Sequence, residues 1–399
     1  MKLLLNTLFL CFTTNNCIVK STNPFYKLPI LSRIAKWASK RLSFSSVSNI
    51  NVLPINVDTN TAVSTVSDVS TVSKQNIFDL NWYVIGYPND FSRQYPVKRN
   101  VWGRNYVIWK NSNNKYCAID DACTHRGASL SAGKLNDGCV VCPYHGYEYD
   151  SMGELKKVPG LASFQCSYMK NTKYYQVVEK NGWIYLNISP FTKTSDTEPF
   201  EENIFNESEI HEKMSVIYTN LEYNCYSRLV SENSLDIMHI AFVHTFGNSE
   251  NPSPIFEIPP TKLSHPNHFK TVYIYESGKK SITNKVYGIK HIKVENEFVL
   301  PHTTVARVIF GEYINTVVTF ATPIGTNKTQ LYVKTYRNYW QNWVGDIITR
   351  YLMDKTMWED KTVIETIDPT MMDGIFNMKY DKLQNTYKTQ YKNLEQRVF

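Results

Sequence analysis

Two short motifs in this sequence combine residue types that can bind iron. Cys123 and His125 form a Cys-x-His motif, Cys142 and His145 form a Cys-x-x-His motif, and sixteen residues separate His125 from Cys142. A [2Fe–2S] cluster of the Rieske type requires this ligand set, because two thiolates hold one iron and two imidazoles hold the other. A glycine follows each motif within two residues. Glycine is frequent in tight turns, so we expect each motif to lie at the tip of a hairpin.

A zinc site is the main alternative for these four residues. Zinc modules with two cysteines and two histidines usually group the cysteines in one pair and the histidines in another. Here each pair contains one residue of each type, and the first pair has a gap of a single residue. The chain has eight cysteines and nine histidines in 399 residues. Two mixed pairs, each followed by glycine, are therefore not expected by chance, and the pattern favours the cluster.

A second candidate metal site contains two further histidines. His239 and His244 are five residues apart, and an unbroken helix would place them about 140° apart around its axis. We therefore expect the helix to end or loosen between them. Two histidines and one carboxylate can bind iron(II) and leave positions free for O2 and a substrate. Considered alone, the segment is equally compatible with an ordinary helix that carries two satisfied histidines.

The third ligand of such a site must come from another part of the chain. Asp360 is the candidate, and Glu359 and Asp368 are alternatives that the residues leave open.

Residues 80–190 closely resemble the Rieske domain of Rieske-type non-haem iron oxygenases. The segment from Asn233 to His244 resembles the branch that contains pheophorbide a oxygenase, chlorophyllide a oxygenase and vanillate demethylase. In that family an aspartate on a late helix completes the iron site, which favours Asp360, and Asn233 would lie beside the iron. The resemblance implies two cofactors in each subunit, a [2Fe–2S] cluster and a mononuclear Fe(II), with O2 as co-substrate.

The resemblance also implies an assembly and partners. Asp236 is not a ligand in this reading. It accepts hydrogen bonds from His239 and from a cluster histidine, His145, of a neighbouring subunit in a ring of three identical subunits. The expected electron donor is a ferredoxin or a ferredoxin/flavin reductase, and the expected substrate is a small organic molecule. The plastid-like N-terminal segment described next favours a plastid pigment or a related metabolite, and sterols, quaternary amines and aromatic ethers remain open.

The N-terminal segment differs in composition from the rest of the chain. Residues 1–57 contain seven basic residues and no acidic residue, whereas the rest of the chain has equal numbers of both. The net charge of +7 therefore belongs to this segment, and the body gives no charge-based case for binding nucleic acid. A short apolar run followed by a basic, Ser-rich stretch resembles the two-part presequences of algal plastids. Mitochondrial or secretory targeting and a non-targeting tail are the alternatives.

Strand-like segments predict an α+β chain. We expect a presequence and low-complexity linker over residues 1–75 and an all-β Rieske domain over 76–190. A helix-grip-like catalytic domain, with an antiparallel sheet and flanking helices, is expected over 191–399. Apolar runs are too short for a transmembrane helix.

The predicted function is oxidation of an organic substrate, by hydroxylation or demethylation, with O2 and electrons passed from the cluster to the mononuclear iron. The alternative is a non-catalytic electron carrier or a redox-sensing protein. A simple carrier would end near residue 190, whereas this chain continues for about two hundred residues that contain the candidate iron site.

Overall fold

The computed structural model describes residues 82–92, 94–161, 170–190, 214–244, 251–265, 267–277 and 288–398. The expected presequence and linker, residues 1–75, lie outside this part of the chain. All described residues belong to one compact unit, Lys74–Phe399.

The first half of the described chain consists of short antiparallel strands in three sheets. The sheet orders are β1-β11-β10, β2-β3-β4-β9 and β5-β6-β7-β8. Several strands are rich in β-branched and aromatic residues, which favour extended backbone. The strands are β1 Trp82–Gly86, β2 Val97–Val101, β3 Arg104–Lys110, β4 Tyr116–Asp120, β5 Lys134–Asn136, β6 Cys139–Val141, β7 Glu148–Tyr149, β8 Leu155–Lys157, β9 Tyr174–Tyr175, β10 Val177–Lys180 and β11 Trp183–Asn187.

The second half forms one seven-stranded antiparallel sheet with helices on one face. The strand order is β12-β18-β17-β16-β15-β14-β13. Its strands are β12 Ser215–Tyr223, β13 Phe256–Lys262, β14 His268–Glu276, β15 His291–Val299, β16 Thr303–Phe310, β17 Tyr313–Gly325 and β18 Lys328–Arg337. The α-helices among the described residues are α1 Ser227–Leu235, α2 Ile240–Val243, α3 Trp343–Ile364 and α4 Lys382–Val398.

Side chains on the seven-stranded sheet alternate between its two faces. On β15, Phe298 points to the face that α4 covers, where it packs with Leu383 and Tyr387. Glu297, its neighbour, points to the other face and forms ion pairs with His268 and Arg307 of the adjacent strands. The alternation therefore separates a helix-covered face from a face that carries buried ion pairs and the core described next.

The face opposite the helices packs against the sheet that contains β1 and β11. Trp82, Val84 and Trp183 share one buried core with Val318 and Phe320 of β17.

Tyr87 reinforces this contact between the sheets. Its buried hydroxyl donates to the carbonyl of Thr219 at 2.7 Å and accepts the N–H of Val333 at 2.9 Å. The two halves are therefore joined by apolar packing and by hydrogen bonds to the backbone of the larger sheet.

The α+β class and its two sheet-containing parts are confirmed. Both halves contain the expected strands, and the late helix that carries Asp360 runs from Trp343 to Ile364. The expectation that both cluster motifs lie at hairpin tips is half right. The loop at Cys142 joins the paired strands β6 and β7, but the loop at Cys123 leads from β4 into a different sheet. None of the described helices is both long enough and apolar enough to cross a membrane.

Candidate metal centres

The loops that carry the two Cys/His motifs adopt the same turn. In each loop the cysteine N–H donates to a carbonyl five residues later, from Cys123 to Ala128 and from Cys142 to Tyr147, both at 2.8 Å. The glycine four residues after each cysteine donates back to the cysteine carbonyl. Both glycines have positive φ, 72° at Gly127 and 71° at Gly146. Glycine adopts this conformation without the steric penalty that a Cβ imposes, so its position sets the shape of each loop.

The four candidate ligands are arranged as two buried thiols and two exposed imidazoles. Cys123 and Cys142 are 3% and 2% exposed, whereas both histidines are exposed. The Nδ1 atoms of His125 and His145 are 3.2 Å apart. This convergence fits a [2Fe–2S] cluster with its thiolate-bound iron inside the protein and its imidazole-bound iron at the surface.

Polar groups around the buried thiols also fit a bound cluster. The Tyr149 hydroxyl lies 3.3 Å from Cys123 Sγ and accepts the N–H of Thr124 at 3.1 Å. The pKa of Cys142 is raised overall because burial outweighs the opposing effect of the backbone N–H groups of Tyr144 and His145. Such N–H groups stabilise a thiolate, the form of cysteine that binds iron.

The second histidine pair lies at the two ends of a single helical turn. Helix α1 ends at Leu235, and Asp236 is extended, with ψ 117°. His239 immediately precedes α2, and His244 follows α2 with extended backbone, ψ 136°. The helix therefore ends between the two histidines, as their spacing predicts, and an additional break at Asp236 separates both histidines from α1.

The two imidazoles converge on one carboxylate of α3. His239 Nε2 and His244 Nε2 each lie 3.4 Å from Asp360 Oδ1. One ligand atom from each of the three residues lies within 4.8 Å of the others. The structure thus brings together the two histidines and one of the three carboxylates that the sequence left as candidates.

The hydrogen bond at Nδ1 of each imidazole orients the ring so that its Nε2 atom faces Asp360. His239 Nδ1 lies 2.5 Å from the Asp236 carbonyl oxygen, and His244 Nδ1 lies 3.1 Å from Glu359 Oε2. A carbonyl and a carboxylate only accept hydrogen bonds, so each ring donates its Nδ1–H and keeps a lone pair on Nε2. Histidine ligands of metals commonly show this pairing.

Asp360 supports the same interpretation. Its Oδ1 is enclosed and has no hydrogen-bond donor among the described residues. When both rings are neutral, two nitrogen lone pairs and a carboxylate oxygen face one another, an arrangement that a cation stabilises. Burial lowers the pKa of His239, but Asp360 outweighs this effect and the net pKa is raised. For His244 burial dominates, and the pKa is lowered.

The other predicted residues occupy different positions. Asp236 does not accept the expected bond from the His239 ring on its side chain, because the ring bonds to its backbone carbonyl instead. Its Oδ1 accepts the N–H of Met238 at 2.7 Å, which stabilises the turn before α2. Asn233 is half-buried in the last turn of α1. Asp368 bonds to Thr370 at an exposed turn.

A further histidine, His302, is buried between the two sheets. Its ring stacks on Tyr83 at 4.8 Å and contacts the ring of Phe320 at 5.6 Å. Burial lowers its pKa to about 3, so the ring is neutral at physiological pH.

Two protein-family models match the chain. Residues 81–174 match the Rieske [2Fe-2S] domain, and residues 223–397 match the vanillate O-demethylase oxygenase C-terminal domain. The vanillate O-demethylase oxygenase subunit of Pseudomonas sp. (strain HR199 / DSM 7063) is 29% identical over 167 residues, which are 41% of this chain and 44% of that protein. Chloroplastic pheophorbide a oxygenase of Oryza sativa subsp. japonica is 24% identical over 313 residues, 69% of this chain and 53% of that protein.

The chain therefore spans about half the length of these relatives. Among solved structures, dicamba monooxygenase bound to dicamba superposes with a TM-score of 0.67 at 18% identity, covering 80% of this chain and 98% of that one. This likeness concerns the fold.

The first prediction concerns the cluster loops. Cys142→Ser should abolish the electron paramagnetic resonance signal of a reduced Rieske cluster, because serine replaces one of two thiolates on the buried iron. Cys139→Ser, three residues earlier, serves as the matched control and should retain the signal. A Rieske signal that survives in the Cys142→Ser protein would exclude these ligands.

The second prediction concerns the third iron ligand. Asp360→Ala should lose mononuclear iron, measured as the third iron per chain, and retain both cluster irons. Asp368→Ala should keep all three irons, and Glu359→Gln should lower affinity for the mononuclear iron by about 10- to 100-fold, because Glu359 holds a ligand without being one. Full mononuclear iron in the Asp360→Ala protein would refute the assignment.

Proposed function

Because the chain belongs to the Rieske-type non-haem iron oxygenases, we propose that it uses O2 and reducing equivalents to oxidise a small organic substrate. A bound [2Fe–2S] cluster would supply electrons, and a bound mononuclear iron would supply O2 activation. The observation that carries the proposal is the convergence of His239 Nε2, His244 Nε2 and the enclosed Asp360 Oδ1.

In this proposal the two loops perform different tasks for the cluster. Cys123 and Cys142 hold it from inside the protein, where burial excludes water from the thiolates. His125 and His145 hold it from the exposed side, where a reductase or another subunit can approach. Tyr147 supports this arrangement, because its ring stacks on His125 at a centroid distance of 5.0 Å.

The catalytic part would hold iron(II) with His239, His244 and Asp360. Asp236 and Glu359 fix the imidazole orientations through the Nδ1 bonds, so both rings reach the metal as neutral ligands. Three protein ligands leave coordination positions for O2 next to a substrate. Asn233 lies in the last turn of α1, and in this proposal it lies beside the iron without binding it.

The proposed assembly is a homotrimer in which the cluster of one subunit serves the iron of the next. A head-to-tail ring closes by rotation, so one type of interface makes all three contacts. The exposed position of His145 and the half-buried position of Asp236 support this arrangement. Asp236 would link the two sites: its backbone carbonyl contacts His239, and its carboxylate would contact the cluster histidine of the neighbouring subunit.

The proposed setting is a plastid, with a transit peptide before residue 76 and a ferredoxin or flavin reductase as donor. Rice pheophorbide a oxygenase is chloroplastic, and the N-terminal segment has the composition of a transit peptide. A carrier that only transfers electrons is disfavoured, because it has no use for the second set of converging ligands.

The third prediction tests the proposed activity. The full chain, reconstituted anaerobically with both metal centres and supplied with a ferredoxin system, should consume O2 in proportion to product in a screen of pigments, aryl ethers, sterols and quaternary amines. Asp360→Ala, measured in parallel, should keep a reducible cluster and form no product. Equal product formation by wild type and Asp360→Ala would refute the proposal.

The fourth prediction concerns electron transfer at Asp236. Asp236→Asn keeps the oxygen that accepts the Met238 N–H, so both metals and the trimer should remain. In a stopped-flow single turnover, reoxidation of the reduced cluster should slow by orders of magnitude. Asp368→Asn is the matched control, because Asp368 accepts the N–H of Thr370 in the same type of turn. Rapid reoxidation in Asp236→Asn, or normal turnover by a monomer, would show another route.

A further inference from the structure

Five polar side chains form a patch on the helix-covered face of β13, β14 and β15. Glu257 lies opposite Tyr273, and Thr271 lies opposite Asn296 in the antiparallel register. Thr271, Tyr273 and Tyr275 occupy every second position of β14, so they point to one face. Directly opposed residues have Cβ atoms about 5 Å apart. The register therefore gathers these side chains, called here the polar wall, into one continuous surface.

Four side chains of the polar wall are buried, Tyr275 is half-buried, and several of their oxygens lack a partner. Thr271 and Tyr273 are 0% exposed, Asn296 is 2% exposed, and the Glu257 side chain is 7% exposed. Glu257 Oε1, Tyr275 Oη and Asn296 Oδ1 are enclosed and have no hydrogen-bond partner among the described residues, whereas the enclosed hydroxyls of Thr271 and Tyr273 have each other as neighbours. Buried polar groups in native proteins are normally hydrogen-bonded. Such a group of enclosed oxygens on one surface is a candidate site for hydrogen bonds to a ligand.

The polar wall lies near the candidate iron site. Burial raises the pKa of Tyr273 and Tyr275, and the nearby negative charge of Asp236 raises both further. Asp236 also bonds to the ring of His239 through its carbonyl. Helix α1, which leads into the histidine segment, packs against β15 and β16. The wall therefore lies on the side of the sheet where helix α1 leads into the segment of the iron ligands.

The electrostatics of the wall disfavour an anion. Glu257 contributes a carboxylate, and its other oxygen, Oε2, is paired with Lys382 at 3.0 Å. Asp236 and Asp381 add negative charge near Tyr273. Among the described residues, Lys382 is the basic residue paired with Glu257, and this ion pair already compensates its charge. A ligand carboxylate would meet these negative groups, which is unfavourable in a buried site.

We propose that the polar wall is the substrate-recognition surface of this chain. It selects an uncharged substrate that presents an O–H or N–H donor beside an oxygen acceptor. The donor bonds to Glu257 Oε1 or Asn296 Oδ1, and the acceptor accepts a hydrogen bond from the hydroxyl of Tyr273, Tyr275 or Thr271. This inference rests on the proposed oxygenase function, because it gives the wall the task of orienting the oxidised group toward the iron.

Three small aromatic probes separate these requirements. Guaiacol carries a phenol donor beside a methoxy oxygen and is uncharged at neutral pH. Veratrole replaces the phenol by a second methoxy group, so it has acceptors and no donor. Vanillate has the guaiacol pattern with an added carboxylate. Equilibrium dialysis against the full chain with both metal centres loaded, under anaerobic conditions without reductant, measures binding without turnover.

Wild type should bind guaiacol about fivefold more tightly than veratrole, the difference expected for one buried hydrogen bond, and about tenfold more tightly than vanillate. Glu257→Gln keeps the acceptor oxygen and removes the charge. It should therefore leave guaiacol binding within about twofold and reduce the preference over vanillate to about twofold. Tyr273→Phe should weaken guaiacol about fivefold.

Tyr218→Phe is the matched control, because Tyr218 lies on β12 and is 39% exposed, and it should change none of the three affinities. Circular dichroism and melting temperature verify that each variant is folded. Asn296→Leu, which also removes a wall oxygen, provides a second variant if Tyr273→Phe does not fold.

Two results would overturn the proposal: equal binding of vanillate and guaiacol by wild type, or an unchanged preference in Glu257→Gln. These outcomes are distinct from failure of the proposed activity. If O2 uptake is coupled to substrate but the wall variants leave probe binding unchanged, the oxygenase function stands and the proposed role of the polar wall is wrong. The expected probe preferences without any product formation would retain the binding surface and reject the oxygenase.

Discussion

The arrangement of the candidate iron site depends on one constraint, the orientation of two imidazoles by acceptors at their Nδ1 atoms. The Asp236 carbonyl and the Glu359 carboxylate take the Nδ1 protons, so both Nε2 lone pairs face the enclosed Asp360 Oδ1. Leaving a buried charge uncompensated costs several kcal/mol. Three electron-rich atoms at this separation therefore favour a bound cation, and the surrounding helices hold them in place before it binds.

The cluster loops solve a different problem, that of holding two kinds of ligand on opposite sides. The same turn occurs at Cys123 and at Cys142, with a glycine of positive φ four residues later in both. This turn leaves each thiol buried and each imidazole exposed. Electrons can then enter or leave through the exposed rings, while the thiolates are shielded from water and oxidants.

The seven-stranded sheet connects these parts because its two faces differ. One face shares an apolar core with β1 and β11, reinforced by the Tyr87 hydroxyl between backbone groups. The other face packs against the helices and carries the polar wall beside the histidine segment. The period of two along each strand allows one sheet to support the Rieske part on one side and a binding surface on the other.

The sequence alone determined the features that depend on short-range spacing. The Cys/His pairs and the histidines five residues apart predicted the cluster loops and the interrupted helix, because one turn of chain brings such residues together. Only the tertiary structure selected among Glu359, Asp360 and Asp368. Consecutive helical residues point about 100° apart, so on α3 Asp360 faces the two Nε2 atoms while Glu359 reaches the far nitrogen of His244. The polar wall was likewise invisible in the sequence, because Glu257, Tyr273 and Asn296 become neighbours only through the register of three paired strands.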